Sequence, residues 1–334
     1  MGRVFVLGAG ASKFAGYPLG LDLWSFIRQD WRSDYASEKR RRAVVHEVEQ
    51  ILKVYPLAQP DRPNLEELFT LLDLVDLGTF PLGIKLANWK ELRTMLMGVV
   101  ADAFLCHQYD LQSGKVGIAD LQKVLECWGK LVREDDTIIS FNWDILHEAA
   151  LWKAKKWHFA DGYGFVCADA PPGARSSVKI LKLHGSANWA QRDEQDCEPA
   201  IEYKADFFPG APDDHEKTYA KGAAQSNEGR NLIVPSYLKD LSSNRLLLCL
   251  WNQAFEALAE STEVIVIGFQ LHPADAPARQ LFGTALLINK QISTVSVVTP
   301  SDGPDNWDSF CFHLGKVRRI VRVRFEDWVS FQTH

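Results

Sequence analysis

Three short stretches of this 334-residue chain place small or polar residues where they could do chemistry. The first, Gly8-Ala9-Gly10-Ala11-Ser12, directly follows the apolar run Arg3–Leu7. Small residues after a first buried strand let backbone N–H groups approach a diphosphate, and the start of a following helix would add its dipole. The second, Asn142-Trp143-Asp144, follows Ile138-Ile139-Ser140-Phe141. The third, His184-Gly185-Ser186, follows Leu181-Lys182-Leu183. Polar groups at the carboxyl end of a buried parallel strand face the ligand crevice, and a histidine there can act as a general base.

Each stretch also has a plainer reading. Lys13 stands where a third glycine would complete GxGxxG, so Gly8–Gly10 could be a tight turn with no ligand. Asp144 is the better candidate for capping the helix expected over 143–156, which leaves Asn142 without a structural task. A lone histidine is most often a satisfied polar residue. Gly16-Tyr17-Pro18-Leu19-Gly20 reads as a second small-residue loop over a bound nucleotide. Asp30 lies about where a dehydrogenase holds its ribose. The stretch 21–31, however, reads as an amphipathic helix, so hydride transfer is disfavoured.

The elements that must position these residues follow from the hydrophobic pattern. Arg3–Leu7, 136–141, 177–183, 263–269 and 294–299 are short apolar runs of the kind buried on both faces of a parallel sheet. A sixth, 317–323, alternates more and suits an edge. Helical periodicity begins at Leu65 with Asn64 as N-cap, and recurs over 89–106, 117–133, 143–156 and 244–260. This alternation predicts a Rossmann-like, doubly wound, mostly parallel α/β fold in a single domain. Its core would comprise 1–19 and 134–334. Residues 20–133 would form a helical insertion after the first strand, and 190–230 an irregular loop insertion.

Composition excludes several classes of function. Net charge is −6, with no basic stripe for a phosphate backbone. The run Lys39-Arg40-Arg41-Arg42 lacks interleaved aromatics and reads as the solvated start of a helix, so no direct nucleic-acid binding is expected. Six cysteines, at 106, 127, 167, 197, 249 and 311, form no CxxC pair, which supports neither a metal site nor a disulfide framework. Free thiols suit a reducing compartment. With no long apolar run and no signal-peptide pattern, a cytoplasmic protein without membrane contact is expected.

In order, Gly8-Ala9-Gly10-Ala11-Ser12, Phe141-Asn142-Trp143-Asp144 and Leu183-His184-Gly185 resemble the sirtuin signature of GAGxS, a QNxD-type strand end and HG. Ile267-Gly268-Phe269-Gln270-Leu271-His272-Pro273-Ala274-Asp275 is similar to the late G-Y/F-S-L-x-x-x-D segment of the bacterial sirtuin-like branch. The resemblance runs from residue 3 to about 300. It departs from protein-deacylating sirtuins in two respects. Only Cys197 falls where they carry a four-cysteine zinc module, and their GIPDFR-like loop has no matching arginine. Both departures match the sirtuin-like NAD hydrolases of bacterial anti-phage defence.

That resemblance implies NAD+ as substrate, no metal, and cleavage of the nicotinamide–ribose bond. Asn142 would hold the ribose and the attacking water, His184 would be the general base, and Asp144 would orient Asn142 or the ribose. Gly8, Ala9, Gly10, Ala11 and Ser12 would hold the diphosphate. Gly268 and Phe269 would line the adenosine side, where Asp275 would bond a ribose hydroxyl or cap the next helix. A toxic NADase implies gating, by homo-oligomer assembly or by a partner such as an ATPase, a nucleic-acid-guided effector or a phage-derived trigger. The competing expectations are an NAD-dependent deacylase or ADP-ribosyltransferase, and a nucleotide-binding assembly module without turnover.

Overall fold

The computed structural model describes residues 2–29, 38–54, 63–77, 89–166, 175–190, 200–201, 230–232, 245–273, 275–300 and 306–333. Asp30, Ala274, Cys167, Cys197 and nearly all of the expected loop insertion 190–230 lie outside the described residues.

Six strands form one sheet: β1 (Arg3–Leu7), β2 (Thr137–Ser140), β3 (Lys179–Lys182), β7 (Glu263–Ile267), β8 (Thr294–Val298) and β9 (Val317–Val321). Their order is β3-β2-β1-β7-β8-β9, and every pairing is parallel. Phe5 of β1 lies in register with Ile138 on one side and Ile265 on the other. The central strands are near-continuous apolar runs because helices cover both faces and every position after the first of each strand is buried. β9 is an edge, as its more alternating sequence predicts, and β3 is the other. Numbered by order in the chain, these six strands run 3-2-1-4-5-6, so the winding reverses between β1 and β7. In an open parallel sheet that reversal opens a crevice at the strands' carboxyl ends.

Between β1 and β2 come α1 (Leu23–Ile27), α2 (Glu38–Val54), α3 (Leu65–Asp76), α4 (Trp89–Gln112) and α5 (Leu121–Leu131). α1, α2 and α3 pack against α4. The Asn64 side chain accepts from the Glu66 N–H and caps α3 as expected. α5 instead covers the parallel sheet: Trp128 is fully buried edge-on against Phe5, with ring centroids 5.2 Å apart. It packs with α6 (Leu146–Lys153) and α10 (Phe325–Gln332). Elsewhere α7 (Arg245–Glu260) packs on α8 (Ala276–Ile288), and Trp307 of α9 (Asn306–His313) meets Phe282 of α8. A small antiparallel sheet, β5-β4-β6, is built from β4 (Gly185–Ala190), β5 (Ala200–Ile201) and β6 (Arg230–Leu232), with α4 against it.

Two local expectations are corrected. β1 does not feed a long helix. It enters 3₁₀ turns at Ala9–Ala11, Lys13–Ala15 and Gly20–Asp22, and then the five-residue α1, so no long helix dipole follows the glycine loop. Gly16, at φ 84°, closes the second turn in a left-handed conformation that ends helical continuation. The basic run does begin α2, but it is not simply solvated. Arg40 pairs with Asp102 of α4, Arg41 donates to the Arg28 carbonyl at 3.1 Å, and Arg42 pairs with Glu38.

The turns after β1 and β7 cross as bare backbone. Gly8 N–H donates to the Ile267 carbonyl at 3.0 Å, and Gly10 N–H to the Gly268 carbonyl at 3.1 Å. A Cβ on Gly268 would lie 2.4 Å from Ala11 N and 2.5 Å from Gly10 Cα, and its φ of 61° is itself left-handed. Because those neighbours are backbone, no rotamer change relieves the clash. Gly268→Ala should therefore destabilise the fold by about 3 kcal/mol, read as a fall in the denaturant midpoint.

Candidate functional site

The carboxyl ends of β1, β2, β3 and β7 deliver Gly8–Ser12, Asn142, His184 and Gly268 to the same edge of the sheet. Within the glycine loop four of the five N–H groups, all but that of Ala9, are already committed. Besides Gly8 and Gly10, Ala11 N–H donates to the Gly8 carbonyl at 2.8 Å and Ser12 N–H to Ala9 at 3.2 Å. These four N–H groups therefore shape the loop. What it offers a ligand is room, chiefly over exposed Ala9 and half-buried Gly10.

Asn142 has a structural task that sequence reasoning missed. Its Nδ2 donates to the Gly8 carbonyl at 3.0 Å and to Ser12 Oγ at 3.2 Å, pinning the end of β2 to the glycine loop. A carbonyl oxygen only accepts, so the atom facing Gly8 must be the amide nitrogen. The oxygen, Oδ1, is the atom left for a ligand. The N-cap of α6 is Ile145, not Asp144 as expected; Asp144 serves the helix start from one residue earlier, its Oδ1 accepting from the Leu146 N–H at 3.1 Å. The helix begins at Leu146, three residues later than the periodicity suggests.

His184 lies in the turn between β3 and β4, and Gly185 follows at φ 73°. Its carbonyl accepts from Trp143 Nε1 at 3.0 Å, and its ring stands edge-on to Phe141, centroids 5.0 Å apart. Nε2 lies 3.7 Å from Oδ2 of Asp275, and both side chains are nearly buried. Asp275 also caps α8, its Oδ1 accepting from the Ala278 N–H at 3.4 Å. Phe269 stacks on Phe141 at 4.1 Å. Phe269 and Asp275, expected on the adenosine side, thus gather around Phe141 and His184.

Beneath this surface lies a polar layer that sequence reasoning did not find. Lys182 and Glu148 form an ion pair at 2.8 Å with side chains 0% and 1% exposed, and Lys182 Nζ also donates to the Asp144 carbonyl. Burial raises the Glu148 pKa above its ordinary value, and Lys182 opposes that shift. Ser12 Oγ lies 3.4 Å from His147 Nε2. Burial, reinforced by Lys182 and opposed by Asp144, takes the His147 ring from 6.5 to about 4, so it is neutral near pH 7. The available signal was Lys182 itself, a lysine inside an otherwise apolar run, which must find an acid. The Gly16–Gly20 segment is tied to α4: Tyr17 OH donates to Gln108 Oε1 at 2.7 Å, and His107 Nε2–H donates to the Ala15 carbonyl at 2.7 Å.

Among the described residues no group of three or more His, Cys, Asp or Glu could hold a metal, and no helix is long and apolar enough to cross a membrane. Among the described residues Cys106, Cys127, Cys249 and Cys311 form no disulfide.

Fold and site together define a Rossmann-like α/β protein with a polar crevice at its topological switch point. No known family profile and no curated protein matches the chain. It is similar to a solved structure titled "Sir2-p53 peptide-NAD+", at 13% identity over 99% of this chain and 91% of that one, with a TM-score of 0.39.

Two stability measurements test the buried layer. Lys182→Met should cost about 3–5 kcal/mol in denaturant unfolding, because Glu148 is left buried and unpaired; adding Glu148→Leu should recover most of it. His147 makes stability depend on pH. Below 6.5 the unfolded chain takes up a proton that the folded ring refuses until about pH 4. The contribution is complete above pH 6.5 and falls by up to about 3 kcal/mol as pH drops to 4, a slope that His147→Phe should remove.

Proposed function

We propose that this chain is an NAD+ glycohydrolase, which splits the nicotinamide–ribose bond with water to give nicotinamide, ADP-ribose and a proton. The observation that carries this reading is the delivery of the glycine loop, Asn142 and His184 to one edge of the sheet, at the carboxyl ends of the adjacent strands β1, β2 and β3 and beside the point where the winding reverses. Such a crevice suits a dinucleotide. The diphosphate would lie over Ala9 and Gly10, where no large side chain intervenes, with Gly8, Ala11, Ser12 and Gly268 holding the loop's shape. Phe269 would lie against a ring or sugar of the ligand.

Breaking the glycosidic bond generates positive charge on the ribose, so the protein must orient the sugar, order a water and exclude others. In this reading Asn142 Oδ1 accepts from the ribose or the water, the amide nitrogen being committed to Gly8 and Ser12. His184 removes the proton from a ribose hydroxyl or from the water, and Asp275 steadies its ring. Asp144 acts at a distance, through the start of α6.

The biological setting we propose is an NAD-depleting effector of bacterial anti-phage defence, a cytoplasmic homo-oligomer gated by assembly, a partner protein or a phage-derived trigger. A deacylase or ADP-ribosyltransferase on the same crevice is the alternative, and product analysis separates them. Free ADP-ribose without any protein substrate supports hydrolysis, whereas an absolute need for acyl-lysine peptide or a protein acceptor overturns it.

The test is an NAD+-consumption assay on the purified chain across a range of protein concentrations. Asn142→Ala and His184→Ala should each slow NAD+ loss by about a hundredfold or more while remaining folded. Full activity in folded His184→Ala would rule out this mechanism. Asp275→Asn keeps an acceptor for the Ala278 N–H, so it should unfold within about 1 kcal/mol of the parent. Its NAD+ turnover should nevertheless fall about tenfold.

A further inference from the structure

We propose that His147 is a positioning residue which, acting through the Ser12 hydroxyl, fixes the Asn142 amide so that its oxygen faces the crevice. The inference rests on Asn142 belonging to the site proposed above. Three buried groups form a chain: Asn142 Nδ2 lies 3.2 Å from Ser12 Oγ, which lies 3.4 Å from His147 Nε2. Ser12 is 0% exposed and His147 2%.

Donor counts fix the direction of the Asn142 bonds, and within the proposal the Ser12–His147 bond runs from the hydroxyl to the ring. The amide nitrogen of Asn142 has two hydrogens, one for the Gly8 carbonyl and one for Ser12 Oγ. Ser12, accepting that hydrogen, has its own left to place. His147 Nε2 can receive it only if the ring is neutral with its hydrogen on Nδ1. Burial keeps the ring neutral. The charges that act on it, Asp144 and Lys182, are of opposite sign and pull its pKa in opposite directions. Trp128 and Phe325 stand edge-on to the imidazole at 5.5 and 5.4 Å and hold its plane.

A purely structural role does not account for a histidine here. Nδ1 is buried with no hydrogen-bond partner, a loss of stability that phenylalanine would avoid. The position keeps a polar ring at the expense of stability, and the only bond that ring makes among the described residues is to Ser12. With that acceptor gone, Ser12 would turn its hydrogen elsewhere. The second amide hydrogen of Asn142 would lose its fixed acceptor, and Oδ1 its fixed aim.

The experiment compares His147→Phe, His147→Gln and Ser12→Ala with the parent in two measurements. The first is ¹⁵N NMR of the Asn142 side-chain amide, assigned with Asn142→Asp and read without substrate. In the parent, both Nδ2 hydrogens should be protected from exchange. In His147→Phe and Ser12→Ala, one should lose protection, and Gln, which can still accept from Ser12, should restore most of it. The second is NAD+ hydrolysis. His147→Phe should lower kcat about tenfold or more, with KM within about threefold.

An unchanged amide spectrum in folded His147→Phe overturns the proposal, as does an unchanged kcat. Should His147→Phe not fold, Ser12→Ala decides by the same criteria. If the parent consumes no NAD+ while the amide responds, the positioning stands and the hydrolase reading falls.

Discussion

Two backbone turns crossing with no side chain between them set the geometry of this protein's crevice. Gly8 and Gly10 lie against Gly268 so closely that a single methyl group would collide with main chain. The hydrogen bonds from Gly8 to Ile267 and from Gly10 to Gly268 then lock the ends of β1 and β7 together. Asn142 extends the lock to β2 by donating to Gly8 and Ser12. Three strand ends become one rigid rim, and what β3 and α8 present, His184 and Asp275, is held against it. The glycines thus act first on the protein. Their small size serves a ligand only through the space it leaves over Ala9 and Gly10.

Beneath the rim the protein accepts an unusual burden. The Lys182–Glu148 pair, His147, Tyr17 and Tyr163 are buried where apolar residues would pack at lower electrostatic cost. The phenols of Tyr17 and Tyr163 are pushed well above their ordinary range, first by burial and then by the charge of the carboxylates nearby. Their bonds run to Ser12 of the glycine loop, the start of α6, the C-terminal end of α4 and Asn188 of β4. A polar layer of this kind resists repacking because each member must keep its partner, whereas an apolar layer slides. The arrangement keeps Asn142 and the segment around Tyr17 in one place.

How much of this could be read in advance depended on whether a signal was local. All six strands of the parallel sheet were visible as apolar runs, and so was β9 as an edge, because burial on two faces forces near-continuous Val, Ile and Leu. Asn64 as the cap of α3 was equally legible, and Asp144 as a side chain serving the start of α6 was legible to within one residue, since such bonds need only a residue and its neighbours in sequence. The glycine loop was legible as a turn, but not as a crossing. Its partner, Gly268, lies some 260 residues away. The expected helix after β1 was misjudged because Gly16 and the ties from Tyr17 and His107 to α4 draw that segment aside.

The sequence by itself determined which residues could meet a ligand and roughly which strand each would follow, because strand ends and turns are written in local composition. Only the tertiary structure decided how those residues share their work. It alone set the strand order that reverses between β1 and β7, the facing of His184 by Asp275, and the chain from Asn142 through Ser12 to His147. The physical reason is that a hydrogen bond is decided by distance and direction between groups brought together from distant parts of the chain. The glycine loop, first read as a row of N–H donors, proves to have four of its five, all but Ala9, already in use.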